Sequence, residues 1–192
     1  MREKHVHVSF DVVDKFIPRV PENRCDGEDD TVKRICVAPD IFHAINAMPG
    51  GGESMWKMHE LGIPLFFHAY YLEAESEDII KNEELFSLLP DAMFTGEEWI
   101  VGKPKAVRRI DYILEEPVFR EIYSNDDLLH EVIGGKLKRV KNDNSWERFF
   151  LWMNGNRKVP KGINIPFGLF VGNLDDEIRE IIIKKIQKND LV

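Results

Sequence analysis

Two adjacent carboxylates, Glu97 and Glu98, sit inside FTGEEWIV, a stretch otherwise composed like a buried strand. Successive strand side chains point to opposite faces, so one of the two must lie on the core side. A carboxylate kept there lines a pocket, and its twin is expected to face solvent. Far away in sequence, His7-Val8-Ser9 sets an imidazole and a hydroxyl into a second apolar run. Sheet pairing of the two segments would bring His7 and Glu97 together. His5 and His7 share one face of that strand, where two imidazoles are able to hold a metal, but no third ligand accompanies them and no metal is expected. Arg19, Arg24 and Arg34 flank the acidic loop around GEDD. Their guanidinium forks suit phosphate oxygens, with Glu22, Glu28, Asp29 and Asp30 as competing partners.

Several chemistries are excluded. PGGGES is followed by no GK[ST], so it is not a P-loop. HExxH, GxSxG and GxGxxG are absent. Cys25 and Cys36 form no CxxC motif, which fits free thiols in a reducing cytoplasm rather than a disulfide framework or a zinc site. No apolar run approaches the roughly 18 residues of a spanning helix, and the first ten residues do not read as a signal peptide. A net charge of −8 argues against general nucleic-acid binding. The charge is uneven: residues 1–116 hold 13 Lys+Arg and 23 Asp+Glu, and residues 117–192 hold 13 and 11. The shift falls near Pro117 and divides the chain into a 1–116 domain and a 117–192 extension. The cluster KLKRVK, Lys136 to Lys141, reads as a solvated turn.

The elements that must position these groups follow from periodicity. VHVSFDVV, RICVAP, IPLFFHAYYLEA, FTGEEWIV and AVRRIDYILEE read as strands. PDIFHAINAM reads as a helix capped by Asp40 and stopped by Pro49 and its glycines. Residues 76–89 read as a short helix or turn. Beyond Pro117, DDLLHEVIGGKL, WERFFLWM and DDEIREIIIKKIQK read as helices. Strands first and helices later indicate an α+β fold, a mixed β-sheet core with a mainly helical C-terminal extension.

The succession VHVS, PRVPENR, GEDDT, RICVAP, IFHAINAMPGG, an aromatic strand and FTGEEWIVGKP resembles the ADP-ribosyltransferase-like fold over residues 5–116. It looks closest to small uncharacterised proteins of phage and prophage type that share the PRVP…GED…RI…AP pattern. The resemblance implies NAD as substrate and mono-ADP-ribosyl transfer or NAD hydrolysis as the activity. It places His7 (or His5), with Ser9 beside it, at the adenine-side ribose, and Tyr70 or Tyr71 at the nicotinamide. It makes Glu97, with Glu98 as rival, the catalytic carboxylate; a pyrophosphate would find its donors in Arg19 and Arg34 beside the acidic loop. A fixed carboxylate would stabilise the positive charge that builds on the ribose as the nicotinamide bond breaks. No Glu-x-Glu loop is present, since Thr95 and Gly96 precede Glu97, which argues against arginine as acceptor. The alternative is a catalytically inactive binding module that sequesters a nucleotide or dinucleotide, or blocks a host defence protein. Neither version calls for a membrane.

Overall fold

The computed structural model describes residues 2–9, 13–22, 24–48, 65–124 and 127–139. In chain order these form β1 (Arg2–Ser9), β2 (Ile35–Val37), α1 (Ile41–Asn46), β3 (Leu65–Glu75), β4 (Ile79–Ile80), α2 (Ala92–Thr95), β5 (Glu98–Ile100), β6 (Ala106–Ser124) and β7 (Asp127–Arg139). Single 3-10 turns at Ser76–Asp78 and Asn82–Glu84 flank β4. The strands make a four-stranded sheet, β1-β3-β6-β7, and a three-stranded sheet, β2-β5-β4. Every pairing between strands is antiparallel.

This corrects the expected fold class in two ways. The sheets are antiparallel rather than mixed, and the described part of 117–192 is strand rather than helix. DDLLHEVIGGKL forms most of β7, which pairs with β6 from Tyr112↔Arg139 to Ser124↔Asp127. A short apolar run reads equally well with either period, and here cross-strand pairing decides. Gly135 is the local device. Its φ is +155°, and a Cβ there would lie 2.6 Å from the Glu116 carbonyl oxygen. The register shifts between Leu114 and Glu116 and again between Val118 and Phe119. Pro117 lies opposite Gly135 of β7, next to the register shift. Lys136, in the expected basic turn, lies on β7 and pairs with Glu116 at 3.1 Å. The helices expected at 146–153 and 175–188 lie outside the described residues.

The earlier elements follow the sequence more closely. Phe67, His68, Ala69, Tyr70, Leu72 and Ala74 of β3 are all buried, so this central strand is covered on both faces and reads as a continuous run. Asp40 caps α1, its carboxylate accepting from the amides of Phe42 (2.9 Å) and His43 (3.0 Å). Ile35, Val37, Ile79 and Ile100 pack on Leu72 and Ala74, forming the core between the two sheets. Trp99, Leu85, Leu89 and Ala92 form a second core with Cys36 and Ile80 on the other face of the small sheet. The sheets are joined where Val6 and Ala38 exchange two backbone hydrogen bonds of 2.8 Å. Among the described residues no helix is long and apolar enough to cross a membrane.

Candidate functional site

The glutamate pair resolves differently from expectation. Both carboxylates are buried, Glu97 at 6% exposure and Glu98 at 8%, so neither faces solvent. They lie on opposite faces of a strand that has a core on each side. The expected strand 94–101 is shortened because α2 takes its first residues. The helix ends at Gly96, left-handed at φ +66°, whose amide returns to the Ala92 carbonyl at 2.9 Å.

Glu97 points to the outer core. Trp99 Nε1 donates to its Oε1 at 2.8 Å, and the Cys36 thiol hydrogen-bonds the same carboxyl. Burial pushes the carboxyl up to about 7, against those two bonds and with help from the Glu28 and Asp91 charges. Arg34, fully buried, stacks its guanidinium 3.9 Å from the Trp99 ring centroid. It also ion-pairs with Glu28 and donates to the carbonyls of Val32 (2.7 Å) and Asp29 (2.9 Å). The ligand atoms of Glu28, Cys36 and Glu97 lie within 4.8 Å of one another, a sulfur-and-oxygen set of the kind that suits a divalent cation. Arg34 already neutralises Glu28, and Trp99 and Cys36 already donate to Glu97, so the cluster is satisfied without one. Burial, with the Glu97 charge second, pushes the Cys36 thiol well above its usual range. Desolvation with Asp91 and Glu28 pushes Cys25 up to about 12. Neither thiol is set up as a nucleophile.

Glu98 points the other way, toward the large sheet. His5 Nδ1 lies 2.8 Å from Glu98 Oε2, close enough for an ion pair but not aligned as a hydrogen bond. Lys81 Nζ stands 3.7 Å from Glu98 Oε1 and is hydrogen-bonded to Glu3. Burial opposes the Lys81 charge, but Glu3 and Glu98 outweigh it and raise its pKa. The two histidine–glutamate rivals, His5 and Glu98, are therefore the ones that meet. His7 and Glu97 do not share a hydrogen bond.

His7 instead sits at the seam. Its Nδ1 is 2.8 Å from the Cys36 carbonyl, which only accepts, so Nδ1 carries the proton. Burial lowers the His7 pKa, partly offset by that bond, and keeps the ring neutral. Phe16 meets His7 edge-on at 5.3 Å and Tyr70 at 5.0 Å between ring centroids. The Tyr70 hydroxyl accepts from the Val13 amide at 2.7 Å, which ties the loop over the sheet. Tyr71 projects from the opposite face of β3 and shares a 3.1 Å hydroxyl contact with Tyr112. Arg19 is exposed and bridges Arg34 through the backbone, whereas Arg34 is closed inside the outer core.

Register sorts these side chains into rows across β1, β3 and β6: His7–Tyr70–Arg109 and Ser9–His68–Asp111. His68 Nδ1 lies 2.8 Å from Asp111 Oδ1, and Arg109 clamps both Asp111 oxygens at 2.8 and 3.0 Å. Burial would raise the Asp111 pKa, but His68 and Arg109 win and hold it down at about 2. Sequence reasoning missed His68, Arg109 and Asp111. The available signal was Arg109-x-Asp111, two opposite charges two apart on one strand and so on one face.

No family model, no curated protein and no solved structure matches the chain.

Proposed function

We propose that the chain is a nucleotide-binding module on an ADP-ribosyltransferase-like plan, with an NAD-type dinucleotide as its ligand and no ribosyl transfer at Glu97. One observation carries this reading: each glutamate is already closed in by internal partners, Glu97 by Trp99 and Cys36, Glu98 by His5 and Lys81. A carboxylate that must meet a ribosyl cation needs an open side, and a buried pair costs free energy to separate. The ligand groups that remain are at the seam. Neutral His7 keeps Nε2 as an acceptor for a ribose hydroxyl, half-buried Phe16 gives an aromatic edge, and exposed Arg19 supplies charge for phosphate.

Titration calorimetry with NAD, ADP-ribose and AMP tests this, run beside nicotinamide release. Binding of NAD without release, weakened tenfold or more in His7→Ala, is the expected result. Absence of heat with all three ligands sinks the reading. A second reading, an NAD-consuming enzyme, is favoured by the His5–Glu98 contact across the sheets, which sets a first-strand histidine against a late-strand glutamate. Nicotinamide release that disappears in Glu98→Gln and persists in Glu97→Gln would establish it.

A further inference from the structure

The loop that follows β1 crosses the seam between the sheets and is tied down at two places. At residue 13 the Val13 amide donates to the Tyr70 hydroxyl at 2.7 Å. Further along, Arg19 and Arg34 exchange two backbone hydrogen bonds of 3.1 and 3.0 Å. The second tie is the stiffer one. Pro18 and Pro21 bracket Arg19 and lock φ on both sides of it, and the Arg34 side chain is closed inside the outer core. The first tie is one hydrogen bond to one hydroxyl. That hydroxyl is well placed, because Tyr70 is buried and Arg109, itself clamped by Asp111, hydrogen-bonds the same side chain. Between the ties Asp14, Lys15 and Ile17 are exposed. Phe16 turns inward, edge-on to His7 at 5.3 Å and to Tyr70 at 5.0 Å, and packs on the core between the sheets. Lifting this stretch breaks the Val13 bond and withdraws one aromatic ring, and no strand pairing is disturbed. Segments held by so few contacts open at the low end of local stability, and binding-site lids are drawn from them.

We propose that residues 13–18 are a gate over His7, which lifts to admit a nucleotide and closes on it through Phe16, with the Tyr70 hydroxyl as the latch. The gate rests on the nucleotide-binding reading and adds its regulation. The ring that Phe16 meets is the one whose Nε2 serves as acceptor for the ribose, so entry and closure are decided at a single side chain. Release at Val13 frees the stretch while Arg19 stays paired with Arg34. The motion is therefore a swing about that bridge, and the two sheets stay joined at Val6 and Ala38. Arg109 and Asp111 act at one remove, by fixing the hydroxyl to which the latch returns.

The test is amide hydrogen exchange by NMR on the full chain, joined to surface plasmon resonance with ADP-ribose. Without ligand, Tyr70→Phe should speed exchange at the Val13 amide tenfold or more. The Val6, Ala38 and Arg34 amides should stay as protected as in wild type, which also shows that the variant is folded. With ADP-ribose, Tyr70→Phe should raise both the association and the dissociation rate at least fivefold. Phe16→Ala, which leaves the latch hydroxyl in place, should raise the dissociation rate by as much. Val13 exchange that is indifferent to Tyr70→Phe overturns the gate. So does faster exchange at Val6 and Ala38 as well, which would mean that the sheets part. ADP-ribose bound at rates that neither variant changes sinks the gate and leaves the nucleotide-binding reading standing. A Val13 amide that responds as expected in a chain that binds no ADP-ribose sinks both.

Discussion

Arg34 and Trp99 are stacked, the guanidinium carbon 3.9 Å from the ring centroid, and together they hold the two acids Glu28 and Glu97 inside the protein. The guanidinium ion-pairs with Glu28 and the indole N–H is bonded to Glu97, so one stacked pair fixes two carboxylates on the outer face of the small sheet. Glu97 thereby takes part in the packing of the outer core.

Arg34→Met removes the cation and leaves Glu28 buried alone. Breaking a buried pair from one side costs roughly 3–5 kcal/mol, and urea denaturation should show a loss of that size. Arg34→Lys restores the charge but neither the fork nor the stacking. It should recover only part of the loss, and full recovery would contradict the role given to the planar group.

Glu97 gives the chain a pH dependence of defined sign. Its folded pKa, about 7, lies above the ordinary carboxyl value of 4.5. The native state therefore binds the proton more tightly than the unfolded state. This stability is fully present below about 4.5 and is lost as pH rises toward about 7. The loss is on the order of 3 kcal/mol, at 1.36 kcal/mol per unit. Glu97→Gln keeps an acceptor for Trp99 and should flatten the fall, which melts at pH 5 and pH 8 will measure. A wild-type curve that rises over this range is the contrary result.

The His5–Glu98 contact should appear as coupling. Each single change, His5→Phe or Glu98→Leu, strands a polar partner in the core. The double change leaves an apolar patch. A double-mutant cycle should give an interaction of about 0.5–3 kcal/mol, the double variant being less damaged than the two singles sum to. Strict additivity would mean that the pair does not interact.

Gly96→Ala should destabilise for two separable reasons. A non-glycine residue at φ +66° costs roughly 1–2 kcal/mol. The new methyl would also lie 2.6 Å from His43 Cδ2. Removing that ring with His43→Ala in the same chain should return the steric part and leave the backbone part. Thermal melts of the two variants separate the terms.

The sequence carried the helix cap at Asp40, the aromatic strand β3 and the existence of a strand after Gly96, because each rests on local chemistry. It did not carry the burial of both glutamates. Alternation assigns opposite faces to neighbours, but only the tertiary fold puts a core on each face of β5. It misread β7 because apolar spacing alone does not decide the period of a short run, and the partner strand β6 does. Of the candidate residues, His7, Ser9 and Tyr70 share one face of the large sheet, while Tyr71 takes the other and Arg34 and Glu97 belong to the outer core. His68 and Asp111 were invisible to motif reading because their relation is lateral, across strands 43 positions apart. No local pattern encodes that.

The pairing of β1 also sets an order in time. Arg2 faces Glu75 and Ser9 faces His68, so β1 finds its neighbour β3 only after some 60 to 70 further residues have been made. β6 and β7, by contrast, meet within a tight hairpin at Ser124↔Asp127. Loop-closure entropy favours local zippering, so the large sheet should grow from its late-synthesised edge and receive β1 last. A nascent chain carries Val6 and Val8 uncovered until then, and that interval is when it is most exposed to wrong partners.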